Sequence, residues 1–492
     1  MKKFSIIIIL LKTILSIYSC SSKSDSIKPI RVQVDLNINE LKNIQLSNGN
    51  SIQLKLLEIN EKIGSLRGAV RECSIKVLLN GKELTIPSGG YNLPVVLEGL
   101  MIDCPVTKSY YKNTTKDRWG LTKDARVRIW PEGPYITPGT FGYPIRQSWF
   151  ASLTQGGNAS TYVDAKEIVS RKVVYYHSGI DFGGVEGMDE IISSTDGLVI
   201  SSMGKKLEGY DNFPDDVRAD VLYIMDNRGW YYRYSHLDSI IKGIEPGVKV
   251  RLGQKVGYIG KQGHSGGWVH LHFEIRYIGL EGKWVTEEAF PYIWESYINE
   301  YKPPLIALAR PHLLTETGKK VILNGSKSKG ISNKISSFEW TLSNGEILSG
   351  PIQEIEYEHA GTYSEVLKVT DIKGNVDYDF TTVIVADNQN LNNPIPILHA
   401  AYHPTLGIKV GDPVTFEVRA FNCTAGNEVW DFGDDTKKVT VKSEFYQPRY
   451  VEGDYAKAIH QFESPGHYIV SVERINKYGY KAIAKLHVEV NR

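Results

Sequence analysis

The sequence predicts a mainly β protein built from several modules: an N-terminal β domain, a central antiparallel β-sheet domain and two C-terminal β-sandwiches. Three observations carry this reading. The 492-residue chain is too long for one ordinary hydrophobic core, and at roughly 150 residues per domain it divides into about three or four units. Tyr is abundant (29) and Met scarce (5), and Thr and Val recur in short runs broken by Gly and Asn, a composition suited to strands rather than to helical bundles. The region beyond residue 300 repeats itself in outline, a Trp followed by a turn and then a Gly-x-Tyr strand opening.

Residues 1–19 read as an export signal. Lys2 and Lys3 form a basic start, an apolar stretch runs from Phe4 to Leu15 with polar interruptions at Ser5, Lys12 and Thr13, and Cys20 follows directly. The segment resembles a bacterial lipoprotein signal, which implies lipid attachment at Cys20, a membrane anchor there and a polar tether over 20–29. Tyr18 is larger than is usual two positions before such a Cys, and an ordinary secretory signal or an uncleaved anchor are the alternatives; each exports the chain. No later stretch approaches the 20 or so apolar residues of a spanning helix.

From 30 to 133, alternating stretches such as 31–36 and 74–79, divided by Asn80-Gly81 and Ser88-Gly89-Gly90, predict a small β domain. Cys73 and Cys104 lie within it and are expected to pair after export, while Cys423 is expected to be a small buried residue. Residues 131–144, rich in Pro and Gly, suit a linker or an arm crossing a groove.

The segment 134–300 carries the chemistry. Strands are expected at 197–201, 221–225, 230–234 and 270–277, with Asp226-Asn227-Arg228-Gly229 as the hairpin turn between the second and third. Side chains alternate faces along a strand, so His270 and His272 point the same way while Leu271 and Phe273 turn to the other side. Upstream, His177 and Asp181 stand four residues apart, and Gly179 between them disfavours a regular helix, placing them on a strand end or turn. Catalytic zinc takes about three protein ligands of this kind and leaves a further position open. A His-Glu-x-x-His segment is absent from the sequence, so a helix-borne zinc motif is excluded.

The two sandwich units are 301–388 and 389–492, joined at Asp387-Asn388-Gln389-Asn390. Each carries a candidate core Trp, Trp340 and Trp430, and then Gly361-Thr362-Tyr363 or Gly466-His467-Tyr468. With Trp430-Asp431-Phe432-Gly433-Asp434-Asp435, and Val369-Thr370-Asp371 ahead of Gly374-Asn375, they resemble PKD domains, an immunoglobulin-like extracellular module. That resemblance implies spacer, adhesive or glycan-binding roles. Asp431, Asp434 and Asp435 read as a solvated turn rather than a calcium loop.

The central region, from Tyr175 to Ile278, resembles the lysostaphin-type zinc endopeptidases, the family that includes LytM and cuts peptide cross-links of bacterial cell walls. The motifs are His177-x-x-x-Asp181, Tyr234-Ser235-His236-Leu237 and His270-Leu271-His272-Phe273-Glu274, flanked by Gly179-Ile180-Asp181-Phe182 and the 260–267 loop. The resemblance implies one Zn2+ held by His177, Asp181 and His272, with His236 and His270 as catalytic histidines. Trp268, His264 and Tyr234 are the candidates for a substrate groove. Where the family commonly has Ser-Thr-Gly-Pro, this chain has Ser265-Gly266-Gly267-Trp268-Val269, one residue longer and bulky, which makes Trp268 either a stacking surface or an obstruction.

The function implied is an exported metalloendopeptidase acting on peptidoglycan or another extracellular peptide. Competing with it are a catalytically silent wall- or glycan-binding protein and a zinc enzyme acting on a polysaccharide. Nucleic acid is not expected as a partner, because 57 Lys and Arg nearly balance 56 Asp and Glu.

Overall fold

A computed structural model describes residues 30–111, 117–149, 151–152, 163–164, 174–215, 217–279, 281–444 and 453–492. The export signal, the tether and Cys20 lie outside the described residues. Among the described residues, no helix is long and apolar enough to cross a membrane.

The N-terminal unit consists of two four-stranded sheets. One orders Val32–Leu36, Ala125–Pro131, Leu100–Thr107 and Val95–Leu97; the other orders Leu41–Gln45, Ser51–Ile63, Val70–Leu79 and Lys82–Pro87. Alternation puts Leu54, Leu56, Ile75 and Val77 of one sheet against Leu36, Ile102, Val127 and Ile129 of the other, all buried in one core. The disulfide expected between Cys73 and Cys104 is not formed: both are free, buried thiols. They sit on strands of different sheets, and each is occupied by a hydroxyl, Cys73 by Thr107 Oγ1 and Cys104 by Ser88 Oγ, both at 3.4 Å.

The central unit is an eight-stranded sheet whose main path runs Ile180–Gly183, His270–Ile278, Tyr231–Ser235, Leu222–Met225, Gly197–Ser202 and Lys205–Lys206. The strands at 197–202, 222–225, 231–235 and 270–278 are those the alternation predicts, and Gly229 turns the hairpin with φ +82°. A second, three-stranded sheet lies beside it, in the order Glu190–Ile192, Lys255–Tyr258 and Ser239–Ile240. The Pro- and Gly-rich stretch is not a free linker. Ile136, Phe141 and Tyr143 are buried in the central core, where Phe141 meets Tyr232, Phe273 and Tyr292. The helix Phe290–Tyr301 closes this core with Tyr292, Ile293, Trp294 and Tyr297. Its end is set by Lys302, at φ 48°, whose amide donates to Ile298 O. Arg31 and Arg128 both donate to Glu287 Oε1, at 2.6 and 2.7 Å, tying the N-terminal sheets to the central one.

Beyond residue 300 the sequence predicts two separate sandwiches; the structure joins them. Gly361–Asp371 of the first unit pairs in parallel with Lys481–Val490 of the second, Gly361 opposite Lys481 and Thr362 opposite Ala482, so a nine-stranded sheet runs through both. The opposing layers are separate: Lys320–Asn324 with Ile352–Glu356, and Ile397–His403, Val414–Phe421 and Ala456–His460. Trp340 and Trp430 are fully buried. Of the acidic turn, Asp431 meets Lys438 Nζ at 3.0 Å and Asp434 meets His460 Nε2 at 2.6 Å.

Candidate metal centre

The register of the sheet brings the distant motifs together. His272, on the strand His270–Ile278, has Asp181 as its direct partner on one side and Ser235 on the other. Directly opposed residues of an antiparallel pair share a face, so Asp181 and His272 point the same way, and so does His270, two residues back. His177 is delivered by the turn before Ile180. Gly179 there has φ +90°, and a Cβ on it would lie 2.5 Å from Phe273 O, so the turn requires glycine.

The result is a triangle of donor atoms. His177 Nε2 is 2.9 Å from His272 Nδ1, His272 Nδ1 is 2.9 Å from Asp181 Oδ1, and His177 Nε2 is 3.1 Å from Asp181 Oδ1. Donors on a tetrahedral ion with bonds of about 2.0–2.1 Å stand about 3.4 Å apart, so opening each edge by a few tenths of an ångström fits such an ion. Two neutral imidazoles and a carboxylate are also the donor set suited to a borderline divalent metal.

A charge network lies beneath the triangle. Glu274 continues the face of His270 and His272, is fully buried, and places Oε2 3.8 Å from His272 Nε2. It is held by Ser178 Oγ at 3.0 Å, by Arg233 Nη1 at 3.2 Å and by Thr286. Burial pushes the Glu274 carboxyl up, but Arg276, His272 and Arg233 overcome this and hold it well below the carboxylate range. Burial also opposes the charge of Asp181, yet the neighbouring His177 and His270 keep its carboxyl well below its ordinary value. His272 is desolvated too, but its contacts with Asp181 and Glu274 raise it above an ordinary imidazole.

His236 and His270 stand beside the triangle, their rings 4.7 Å apart. Each has Nδ1 at a backbone carbonyl: His236 at Gln262 O, 2.8 Å, and His270 at Trp268 O, 3.0 Å. A carbonyl only accepts, so Nδ1 carries the proton in both rings. Burial lowers both imidazoles, His236 further under the neighbouring His270 and His272. His236 has φ +69°, a conformation uncommon for a non-glycine residue. Its amide donates to Asp220 Oδ2 at 3.3 Å.

The groove candidates fare differently. Tyr234 does not line a groove: it is fully buried, packs edge-on against Phe273 and accepts from Ser194 N at 2.7 Å. The positive φ at His236 breaks the strand alternation, so Tyr234 and His236 do not share a face. His264 is exposed. Trp268 is partly exposed and stacks on Phe421 of the C-terminal unit. Sequence reasoning missed Asp220, which accepts from the His236 amide, and His399 of the C-terminal unit, whose ring lies 5.3 Å from that of Trp268. Glu274 was legible in the period-two pattern, whereas no local signal pointed to the other two.

Residues 175–286 match Peptidase family M23 and residues 301–385 match the PKD domain. The chain therefore carries an M23-type, LytM-like peptidase domain followed by a PKD domain. Among solved structures, it is similar to the catalytic domain of the prophage-encoded M23 protein EnpA from Enterococcus faecalis, at 26% identity over 26% of this chain and 88% of that one, with a TM-score of 0.18. It is also similar to the PKD1 domain of the Vibrio cholerae metalloprotease PrtV, at 27% identity over 17% of this chain and 98% of that one, with a TM-score of 0.14.

Proposed function

We propose that this chain is an exported zinc metalloendopeptidase that hydrolyses peptide bonds in peptidoglycan cross-links or in another extracellular peptide, anchored by lipid at Cys20. In this reading the C-terminal modules serve as spacers that contact glycan. The observation that carries it is the donor triangle of His177, Asp181 and His272, with edges of 2.9–3.1 Å, set beside two neutral imidazoles in an M23-type domain.

Zinc in such a site supplies a hydroxide-like nucleophile near neutral pH and polarises the scissile carbonyl. His177 Nε2, Asp181 Oδ1 and His272 Nδ1 would hold it. Glu274, with Oε2 3.8 Å from His272 Nε2, stands where the outer carboxylate of a ligating histidine would. His236 and His270, protonated at Nδ1, keep Nε2 as the basic atom. Their lowered proton affinity leaves them neutral at pH 7, able to accept a proton and pass it to the leaving amine.

The test is incubation of purified, zinc-loaded protein with cell-wall fragments and with extracellular proteins, reading product masses and new amino termini. Release of peptides that a chelator abolishes is the expected result. Retention on the wall without any new amino terminus overturns the proposal.

A further inference from the structure

The loop that leads into His270 is gripped by the C-terminal unit at three consecutive residues. The indole of Trp268 lies flat on Phe421, ring centroids 4.1 Å apart and planes within 9°. On one side of it Arg419 Nη1 donates to Gly267 O at 3.1 Å, and on the other Val269 N donates to Tyr455 Oη, also at 3.1 Å. Arg419 and Phe421 are two apart on the strand Val414–Phe421, and His399 is the direct partner of Arg419 on the neighbouring strand, so the three share a face. His399 Nδ1 lies 2.6 Å from Tyr455 Oη, and its ring is 5.3 Å from the indole. Tyr455 belongs to the central hydrophobic core rather than to that of its own module.

The gripped segment contains the carbonyl that orients a site histidine. Trp268 O accepts from His270 Nδ1 at 3.0 Å, and the far side of the ring presents Nε2 3.8 Å from Asp181 Oδ1. Gly266 and Gly267 precede it at φ +69° and +80°. Ser265 Oγ braces the start of the loop, donating to Lys261 O and accepting from Gly267 N at 3.0 Å, but two glycines in the left-handed region add little stiffness beyond it. Its placement therefore depends on what packs against it.

We propose that Phe421, Arg419 and Tyr455 of the C-terminal unit are positioning residues for hydrolysis: they fix the Trp268 carbonyl and through it the tautomer and orientation of His270. The effect on rate rests on the metallopeptidase reading; the effect on His270 does not. Catalytic groups must be held within fractions of an ångström, and here the support comes from a module that contributes none of the reacting side chains.

The experiment compares full-length, zinc-loaded protein with Phe421→Ala and with Phe421→Tyr, which keeps an aromatic face for Trp268. In Phe421→Ala we expect kcat to fall about tenfold or more, with KM and zinc content little changed. Nitrogen-15 histidine spectra, with His270 assigned through His270→Gln, should show its single Nδ1–H tautomer becoming a mixture. Phe421→Tyr should restore both. An unchanged kcat together with an unchanged His270 tautomer overturns the proposal, and a rise in kcat overturns it in favour of a covering module. If the wild-type protein hydrolyses no peptide, the metallopeptidase reading fails while the His270 spectrum still decides the positioning role. Should Phe421→Ala not fold, Tyr455→Phe removes the hydroxyl that meets Val269 N and His399 Nδ1 and is read in the same way.

Discussion

Asp181 and His272 face one another as direct partners across two antiparallel strands, with Oδ1 and Nδ1 2.9 Å apart. A ligand pair set by strand register is rigid. The pairing fixes the face both side chains share, and a slip of one residue would turn one of them to the opposite face.

Asp181→Ala removes the only carboxylate of the donor triangle. Zinc content should drop from about one per chain toward zero, measured by elemental analysis after dialysis. His236→Ala removes no donor, so zinc should stay while kcat falls by about 10²–10⁴, the usual worth of a general acid–base group. Full activity in both variants would remove the proposed chemistry.

Glu274→Gln keeps the size of the side chain and deletes the charge behind His272. Zinc affinity should fall about 10–100-fold, read by competition with a chromophoric chelator. Arg233 and Arg276 then lose the buried charge of Glu274 and keep Asp215 as their carboxylate partner, and thermal stability should fall as well.

Gly179→Ala should be far more damaging than alanine is at an exposed turn. Its Cβ would press on Phe273 O at 2.5 Å, and the backbone is at φ +90°. A loss on the order of 2 kcal/mol or more is expected, together with weakened zinc binding, because His177 is carried by the same turn. Thermal unfolding and zinc titration on one sample check both.

Glu417 gives a dependence on pH. It lies at the contact between the C-terminal and central units, where it accepts from Glu186 N at 3.1 Å. Burial first, then the nearby Glu186 and Asp189 charges, raise it from 4.5 to about 8, against Lys457 and the Glu186 amide. The folded chain thus keeps a proton that the unfolded chain releases above about pH 4.5, and stability contributed here falls as pH rises toward 8. Glu417→Gln cannot ionise. It should be more stable than the wild type at pH 8 by up to a few kcal/mol, read by denaturant unfolding, with the advantage vanishing near pH 4; an equal gain at both pH values would contradict this.

What the sequence made legible is what short-range periodicity encodes. The 270/272 spacing, the glycine between His177 and Asp181 and the strands of the central sheet all follow from local alternation and turn chemistry. Tyr234 was misplaced because its closeness to His236 in the sequence does not tell which face it takes: it lies opposite Phe273 and turns into the core. The cysteines looked like a pair because spacing carries no information about Thr107 and Ser88 standing beside them. Most obscure was the meeting of Trp268 with Phe421, since contact between modules depends on the shapes of two finished surfaces, which neither stretch of sequence displays alone.

The parallel pairing of Gly361 with Lys481 and Thr362 with Ala482 means that the two terminal sandwiches share a seam of backbone hydrogen bonds. A pulling force along the chain has to rupture that seam before either sandwich can extend independently. The visible repeat in the sequence therefore does not mark two mechanical units, and cutting the chain at the joint would expose a raw strand edge on each half.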